Sequence, residues 1–459
     1  MPGNLSFDAL KKAASSGSID TVVAVIVDMQ GRLMGKRFHV QHFIDSAHEE
    51  THCCNYLLAT DLEMATPDGY QSSSWSTGYG DFIMKPDMST LRLTPWAPGA
   101  AMVLCDVIDH HSHQDVPHSP RAVLKSQIDR LAAMGLTCMA ATELEFFVYQ
   151  ESYQQAREKR YRDLTPSSPY NEDYHIFQTA KEERMMRPLR NQLFDAGVPV
   201  ECTKGEAEAG QAELNIRHSD ALDMADNHSI AKHASKEIAL EAGFSVSYLA
   251  KPHAEQTGSA SHIHQSLLAL DGTPVFYDKS AKHGMSVLMQ HYLAGQLAYA
   301  AQTTVFLAPY INSYKRFAAG TFAPTNIVWS IDNRTAGFRI VAPDSKAVRI
   351  ECRMGGADFN PYLAMASQLA AGIAGIEEKL SLGDAFDGDA YAADKSAPAI
   401  QTIPGNLRDA TQMLDGSAML RAAMGDAVVD HYVRAARWEQ EEFDRVVTQY
   451  EIERGFERS

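Results

Sequence analysis

Residues 140–148, Ala140-Ala141-Thr142-Glu143-Leu144-Glu145-Phe146-Phe147-Val148, alternate acids with apolar neighbours, so Glu143 and Glu145 emerge together on one face of a strand. Two carboxylates on one face repel each other unless cations sit between them. Read alone, the segment fits the polar outer face of an edge strand equally well. Three further segments bear on the choice. Each sets acids, histidines or arginines on strand-like sequence, where an ionised group is costly unless it is paired or bound to metal.

The stretch Glu201-Cys202-Thr203-Lys204-Gly205-Glu206-Ala207-Glu208-Ala209-Gly210-Gln211-Ala212-Glu213-Leu214-Asn215 places Glu206 and Glu213 about a Gly-Gln pair. In isolation it reads as a solvated acidic loop. In Gly258-Ser259-Ala260-Ser261-His262-Ile263-His264-Gln265-Ser266-Leu267, His262 and His264 share one strand face, as a metal or phosphate site requires and as core or surface histidines also permit. From Asn312 to Arg353 the chain carries Arg316, Arg334, Arg339, Arg349 and Arg353, with Glu351 between the last two. Guanidinium forks bind carboxylates and phosphates in bidentate fashion, although a structural ion-pair ladder uses the same residues.

Outward from these segments, Thr21 to Arg37 predicts a hairpin turning at Gln30-Gly31, and Leu91 to Val107 returns to strand-like apolar character. The polar run Asp109-His110-His111-Ser112-His113-Gln114-Asp115 marks a domain boundary; His111 and His113 lack a nearby third ligand, so a solvated linker is preferred there to a metal site. Pro120 to Met134 has helical apolar spacing closed by Gly135. Strands and helices then alternate to about residue 360. Beyond Asn360 the chain is Ala-rich and helical, broken by an acidic loop from Gly383 to Asp394, with a helical tail from Ser417.

Composition narrows the function. The chain has 459 residues, 45% hydrophobic and 22% charged, which is ordinary globular material with room for two or three domains. A formal charge of −17 argues against nucleic acid or an anionic membrane surface as a partner. The N-terminus lacks the apolar region of a signal peptide, and no apolar run approaches the roughly 20 residues that span a bilayer. The six scattered cysteines form no CxxC pair and read as reduced thiols of a cytoplasmic protein.

Several carboxylates with one or two imidazoles suit Mg²⁺ or Mn²⁺ better than zinc or copper. Divalent ions beside arginines are what phosphoryl transfer needs, since its catalysis is mainly positioning and charge neutralisation. The sequence has no GxxxxGK[ST] loop, no GxGxxG opening a helix and no GxSxG elbow, so P-loop, Rossmann and α/β-hydrolase chemistries are set aside. The residues alone therefore predict an enzyme that handles a nucleotide and divalent metal.

At the same segments the chain resembles the glutamine synthetase superfamily over nearly its whole length. The resemblance is carried by Lys85-Pro86-Asp87-Met88-Ser89-Thr90, Glu143 to Phe147, Gly210-Gln211-Ala212-Glu213, Gly258 to Ser266, Asn312-Ser313-Tyr314-Lys315-Arg316, Asn333-Arg334-Thr335, and Arg349 to Arg353 followed by Asn360-Pro361-Tyr362. It implies an α+β fold, with a small N-terminal β-grasp domain (residues 1–112) and a large catalytic domain binding ATP and glutamate (residues 113–459). It further implies a homo-oligomer, a dodecamer of two stacked hexameric rings with active sites between neighbouring subunits. Carried over residue by residue, Glu145, Glu206 and Glu213 would hold one metal; Glu143, His262 and Glu351 would hold the second. Gly258, Arg316, Arg334 and Arg353 would clamp glutamate. Glu201, His264, Ser266, Arg339 and Arg349 would contact the nucleotide, Arg339 and Arg316 acting in the reaction as well. The implied chemistry is ATP-dependent: glutamate's γ-carboxylate takes the γ-phosphoryl group, and an amine displaces phosphate from the resulting γ-glutamyl phosphate.

Two departures bear on the amine. Ammonia-using members carry a glutamate six residues beyond the arginine of the Asn-Ser-Tyr-Lys-Arg motif; here that position is Phe322. Their Asp-Gly-Ser-Ser motif is here Pro67-Asp68-Gly69-Tyr70-Gln71-Ser72, leaving Asp68 as the candidate carboxylate beside the amine. Thr257 stands where the family has an asparagine near glutamate. A phenyl ring in place of a carboxylate removes a charge that would hold ammonium and adds apolar surface worth roughly 1.5–3 kcal/mol when buried. The expected substrate is thus an organic amine: an alkylamine, ethanolamine or a polyamine. Tyr391, near where some members are adenylylated, has altered surroundings, and no such control is expected. An ammonia-using glutamine synthetase, a catalytically inactive ring-forming relative and a bare metallohydrolase remain as alternatives.

Overall fold

Six strands open the chain in the computed structural model, which describes residues 3–393 and 400–459. They are β1 (Thr21–Val27), β2 (Leu33–His39), β3 (Thr51–Cys54), β4 (Asp81–Pro86), β5 (Arg92–Leu93) and β6 (Ala100–Asp109). The expected hairpin is formed by β1 and β2, paired antiparallel from Thr21↔His39 to Val27↔Leu33 about Gly31, whose φ of 81° suits a residue without a side chain. The sheet runs β2-β1-β6-β4-β3, with β5 on β6. Its parallel pair, β1 with β6, is packed against the helix Phe7–Ser16 through Leu10, Val22, Ala24 and Val103.

Eleven more strands follow. They are β7 (Leu136–Tyr149), β8 (Val200–Gly205), β9 (Gln211–Ile216), β10 (Ser219–Asp220), β11 (Ser245–Ser247), β12 (Ser261–Ala269), β13 (Asn326–Ile327), β14 (Trp329–Ile331), β15 (Phe338–Val341), β16 (Arg349–Cys352) and β17 (Gln401–Thr402). Nine of them make the large sheet, in the order β14-β15-β16-β12-β7-β9-β8 with β10 and β11 on β7; β13 and β17 pair separately. One face of this sheet is apolar and lies on the helices Pro120–Ala133, Ala221–Ala242, Val287–Leu307 and Pro361–Glu377. The last two approach so closely that a Cβ on Gly295 would stand 2.2 Å from the Ala371 carbonyl oxygen. The other face carries the ionised residues.

The two sheets are tied by polar groups as well as apolar ones. Arg121, 3% exposed, donates to Asp106 at 2.5 Å, Asp87 at 2.8 Å and Asp226 at 3.1 Å, joining the first sheet to two helices of the second unit. Asn360 donates to the Asp28 and Met29 carbonyl oxygens at 3.0 and 3.1 Å. The helix expected at Pro120 spans Pro120–Ala133, and the helical tail runs as Ala418–Met424, Asp426–Asp444 and Gln449–Gly455. Asp394, the end of the expected acidic loop, lies outside the described residues. All six cysteines are free thiols, and no helix among the described residues is long and apolar enough to cross a membrane.

Candidate active site

Strand register assembles the site. β7 is central: its Glu143 lies directly opposite His262 of β12, and its Glu145 opposite Glu213 of β9. On the other side of β12, His264 pairs with Glu351 of β16, and Glu351 pairs with Arg339 of β15. Directly opposed residues on one face have Cβ atoms about 4.5–5.5 Å apart, so five strands deliver these side chains to one patch without help from any loop.

The patch holds two groups of potential metal ligands. In the first, one oxygen each of Glu145, Glu206 and Glu213 lie within 4.8 Å of one another. Burial, and then the neighbouring Glu206 and Glu213 charges, push Glu145 well above the usual carboxylate range. Burial, with Glu143 and Glu206, pushes Glu213 up to about 8. Glu145 accepts from the Ala260 amide at 2.7 Å and from Gln211 at 3.2 Å; Asn215 donates to Glu213 at 2.8 Å. Three acids that cannot all ionise side by side fit a hard divalent cation, which oxygen ligands favour.

The second group is Glu143, His264 and Glu351, again within 4.8 Å. His262, expected here instead of His264, is equally close: its Nδ1 is 2.7 Å from Glu143 and 3.4 Å from Glu351. His264, expected on the nucleotide side, meets Glu143 through Nε2 at 3.0 Å and accepts from Arg349 Nε at its Nδ1 (3.3 Å). An arginine N–H only donates, so Nδ1 is the accepting nitrogen and Nε2 is the one turned to Glu143. Burial opposes ionisation of Glu143, but the two imidazoles outweigh it and hold the carboxyl well below the usual range. Burial, then Arg353, lowers His262, which stays neutral and donates. Glu351 is fully buried and bonded to Arg339 at 2.9 Å and Arg353 at 2.6 Å. These residues also fit a divalent ion, with imidazole and carboxylate ligands.

Two cavities meet at Glu143. One, of about 320 Å³, is lined by both acidic groups, His262, Gly258, Arg316, Arg334, Arg339, Arg353 and Phe322. The other, of about 470 Å³, is lined by Glu201, His264, Ser266 and Arg349, together with His218 and Lys346. Sixteen of the seventeen candidate residues therefore line one cavity or the other, and Arg339 falls in the first. Asp68 is the exception. It is exposed in a loop whose carbonyl accepts from Arg434 Nε at 2.7 Å, beside the helix Asp426–Asp444, and within this chain it lines neither cavity.

Arg316 is 2% exposed and donates to the Arg353 and Gly355 carbonyl oxygens at 3.0 and 2.7 Å. Burial, opposed by Glu145 and Asp358, lowers it to about 10. Its Nε, and that of Arg353, are buried donors without a partner among the described residues, next to a cavity both side chains line. Such donors suit an anionic substrate. Arg339 is braced between Glu351 and Asp332. Gly258 lies so near Ala250 that a Cβ would stand 2.2 Å from its carbonyl oxygen and 2.7 Å from Arg316 Cγ. Gly258→Ala is therefore expected to lower the melting temperature by a few degrees, through about 1–3 kcal/mol of overpacking, and to raise KM for the ligand that Arg316 holds. An unchanged melting curve with unchanged KM would show that the close packing here is not needed.

The sequence reading missed Asp173, Tyr174 and Lys204 in the first cavity. Lys204 pairs with Glu206 and, at 3.2 Å, with Asp173, and its ammonium lies 4.5 Å from the Tyr174 ring centroid. Burial opposes the Lys204 charge, but these carboxylates hold its pKa above the usual value. Lys204 was in view, next to Glu206; Asp173 and Tyr174 belong to an irregular loop with no period to read.

The glutamine synthetase catalytic-domain model matches residues 117–455. The chain belongs to the glutamine synthetase family. Among curated relatives, γ-glutamylethanolamide synthetase GlnA4 of Streptomyces coelicolor is 44% identical over 455 residues, covering 99% of this chain and 96% of that one. Glutamate–isopropylamine ligase of a Pseudomonas species is 35% identical, covering 95% of each. Among solved structures, the GmaS/ADP complex superposes with a TM-score of 0.84 at 25% identity, covering 97% of this chain and 99% of the other.

Proposed function

We propose that this protein is an ATP-dependent ligase that joins the γ-carboxylate of L-glutamate to an organic amine through γ-glutamyl phosphate. The observation that carries this reading is the pair of cavities meeting at Glu143, one with arginines and paired acid groups for an amino acid, the other open for a nucleotide. The two curated relatives, both named for joining glutamate to an organic amine, support it.

Arg316, Arg334 and Arg353, with the backbone at Gly258, hold glutamate, the buried guanidinium donors meeting its carboxylate. Glu201, His264, Ser266 and Arg349 hold ATP in the adjoining cavity, so its γ-phosphoryl group points past Glu143 at the glutamate γ-carboxylate. Glu145, Glu206 and Glu213, and Glu143, Glu351 and the two histidines, would hold two Mg²⁺ or Mn²⁺ ions, which when bound neutralise phosphate charge and orient the reacting oxygens. A γ-carboxylate oxygen bonds to the γ-phosphorus and the bond to the ADP oxygen breaks. The amine nitrogen then bonds to the carbonyl carbon of the γ-glutamyl phosphate, the bond from that carbon to the phosphate oxygen breaks and phosphate leaves, and the nitrogen loses a proton. Arg339, braced by Glu351 and Asp332, faces the phosphoryl group in flight, and fixed charge of this kind needs no reorganisation during reaction.

Phe322 gives the amine pocket apolar surface. Its φ of 57° holds the loop in a left-handed bend, and its carbonyl accepts from Arg353 at 3.3 Å. The exposed Asp68 belongs to the site of a neighbouring subunit in a cytoplasmic dodecamer of two hexameric rings; that it lines neither of this chain's own two cavities supports that arrangement. The test is phosphate release with glutamate, ATP and a panel of amines. Organic amines are expected to outpace ammonia. Turnover with ammonia alone would make the protein a glutamine synthetase, and no release with any amine would end the ligase reading.

A further inference from the structure

The next inference rests on the proposed ligation and narrows its amine. Lys204 stands on β8 opposite Glu213. Its ammonium is held inside the amino-acid cavity by Glu206, by Asp173 at 3.2 Å, and by the Tyr174 ring. The cavity thus contains a fixed alkylammonium of the protein's own. Its acids are committed: Glu145, Glu206 and Glu213 to one group, Glu143 and Glu351 to the other, Asp173 to Lys204. A substrate bearing a second ammonium on its tail meets a like charge and no carboxylate left to receive it. In a cavity of about 320 Å³ that charge stays near Lys204, and like charges in a partly desolvated site repel more strongly than in water. Rejection by a built-in like charge is a common basis of specificity.

We propose that Lys204 confines the substrate to monoamines with an uncharged tail, alkyl or hydroxylated, and excludes diamines and polyamines. The full-length protein is assayed for phosphate release with 3-amino-1-propanol and with 1,3-diaminopropane, which differ only in the far group, near neutral pH. The wild-type chain is expected to favour the aminoalcohol by about tenfold or more in kcat/KM. Lys204→Met should narrow that ratio at least severalfold, and Lys204→Arg should keep it. Any general damage to the site through Glu206 affects both amines alike and cancels in the ratio. A Lys204→Met protein without turnover is read instead by amine-dependent thermal stabilisation in the presence of glutamate and ADP, where the same narrowing is expected. Equal use of both amines by the wild type, or a ratio unmoved by Lys204→Met in either readout, overturns the proposal. Absence of phosphate release with every amine, ammonia included, sinks the ligase reading itself.

Discussion

Glu213→Gln is expected to stabilise the chelator-treated protein while lowering phosphate release at least ~100-fold, the equivalent of about 2.7 kcal/mol of lost transition-state stabilisation. The opposite signs have one cause. Glu145, Glu206 and Glu213 crowd three carboxylates into 4.8 Å, and the folded chain pushes Glu213 up to about 8, against an ordinary value of 4.5. A carboxyl whose folded pKa is raised contributes most to stability below its unfolded value, and that contribution is lost as pH climbs towards the folded one. In the metal-free protein, stability should therefore fall between about pH 4.5 and pH 8. Glutamine keeps the shape without the charge, so the variant should flatten this fall and gain about 1–3 kcal/mol near its upper end, part of the shift being absorbed by relaxation and by Lys204. Melting curves across that range, with chelator and with Mg²⁺ or Mn²⁺, make the comparison. The wild type should gain from metal and the variant should not. A variant that melts lower than wild type in chelator, or that keeps its metal-dependent gain, would remove this trio from the metal site.

Phe322→Glu is expected to turn the amine preference towards ammonia by about 10²–10³-fold in the ratio of kcat/KM values. Losing the phenyl ring costs the organic amine part of its roughly 1.5–3 kcal/mol of apolar contact, at the lower end because Phe322 is 57% exposed. The new carboxylate adds a charged partner for ammonium, worth a similar amount in a partly desolvated site. The bend itself is unaffected, since phenylalanine and glutamate bear the left-handed φ of 57° at comparable cost. Parallel assays with ammonia, ethanolamine and isopropylamine measure the ratio. An amine profile identical to wild type would show that Phe322 packs in the loop without touching substrate.

Much of the site was legible because strand alternation is a local property. Glu143 with Glu145 and His262 with His264 each share a face by the two-residue period, and the structure keeps them so. The acidic stretch around Glu206 was less legible. A run of glutamates reads as solvated loop until it is known that Glu213 lies opposite Glu145 across β7 and β9. The histidines show the same limit, since period two puts both on one face and says nothing of which carboxylate each meets. Asp68 was selected by likeness to a motif, and no local rule tells which subunit's cavity such a loop serves.

By itself, the sequence determined that ionised residues would gather on one face of strands whose other face is apolar, because that pattern is written every two residues along a chain. It also determined the family, through several short motifs in a fixed order. Only the tertiary structure decided the register that sets Glu143 between His262 and His264, the meeting of two cavities at that carboxylate, and the placing of Lys204 and Asp173 beside Glu206. Register and strand neighbours depend on contacts between residues dozens to hundreds of positions apart, and these are fixed by the packing of the whole sheet on its helices.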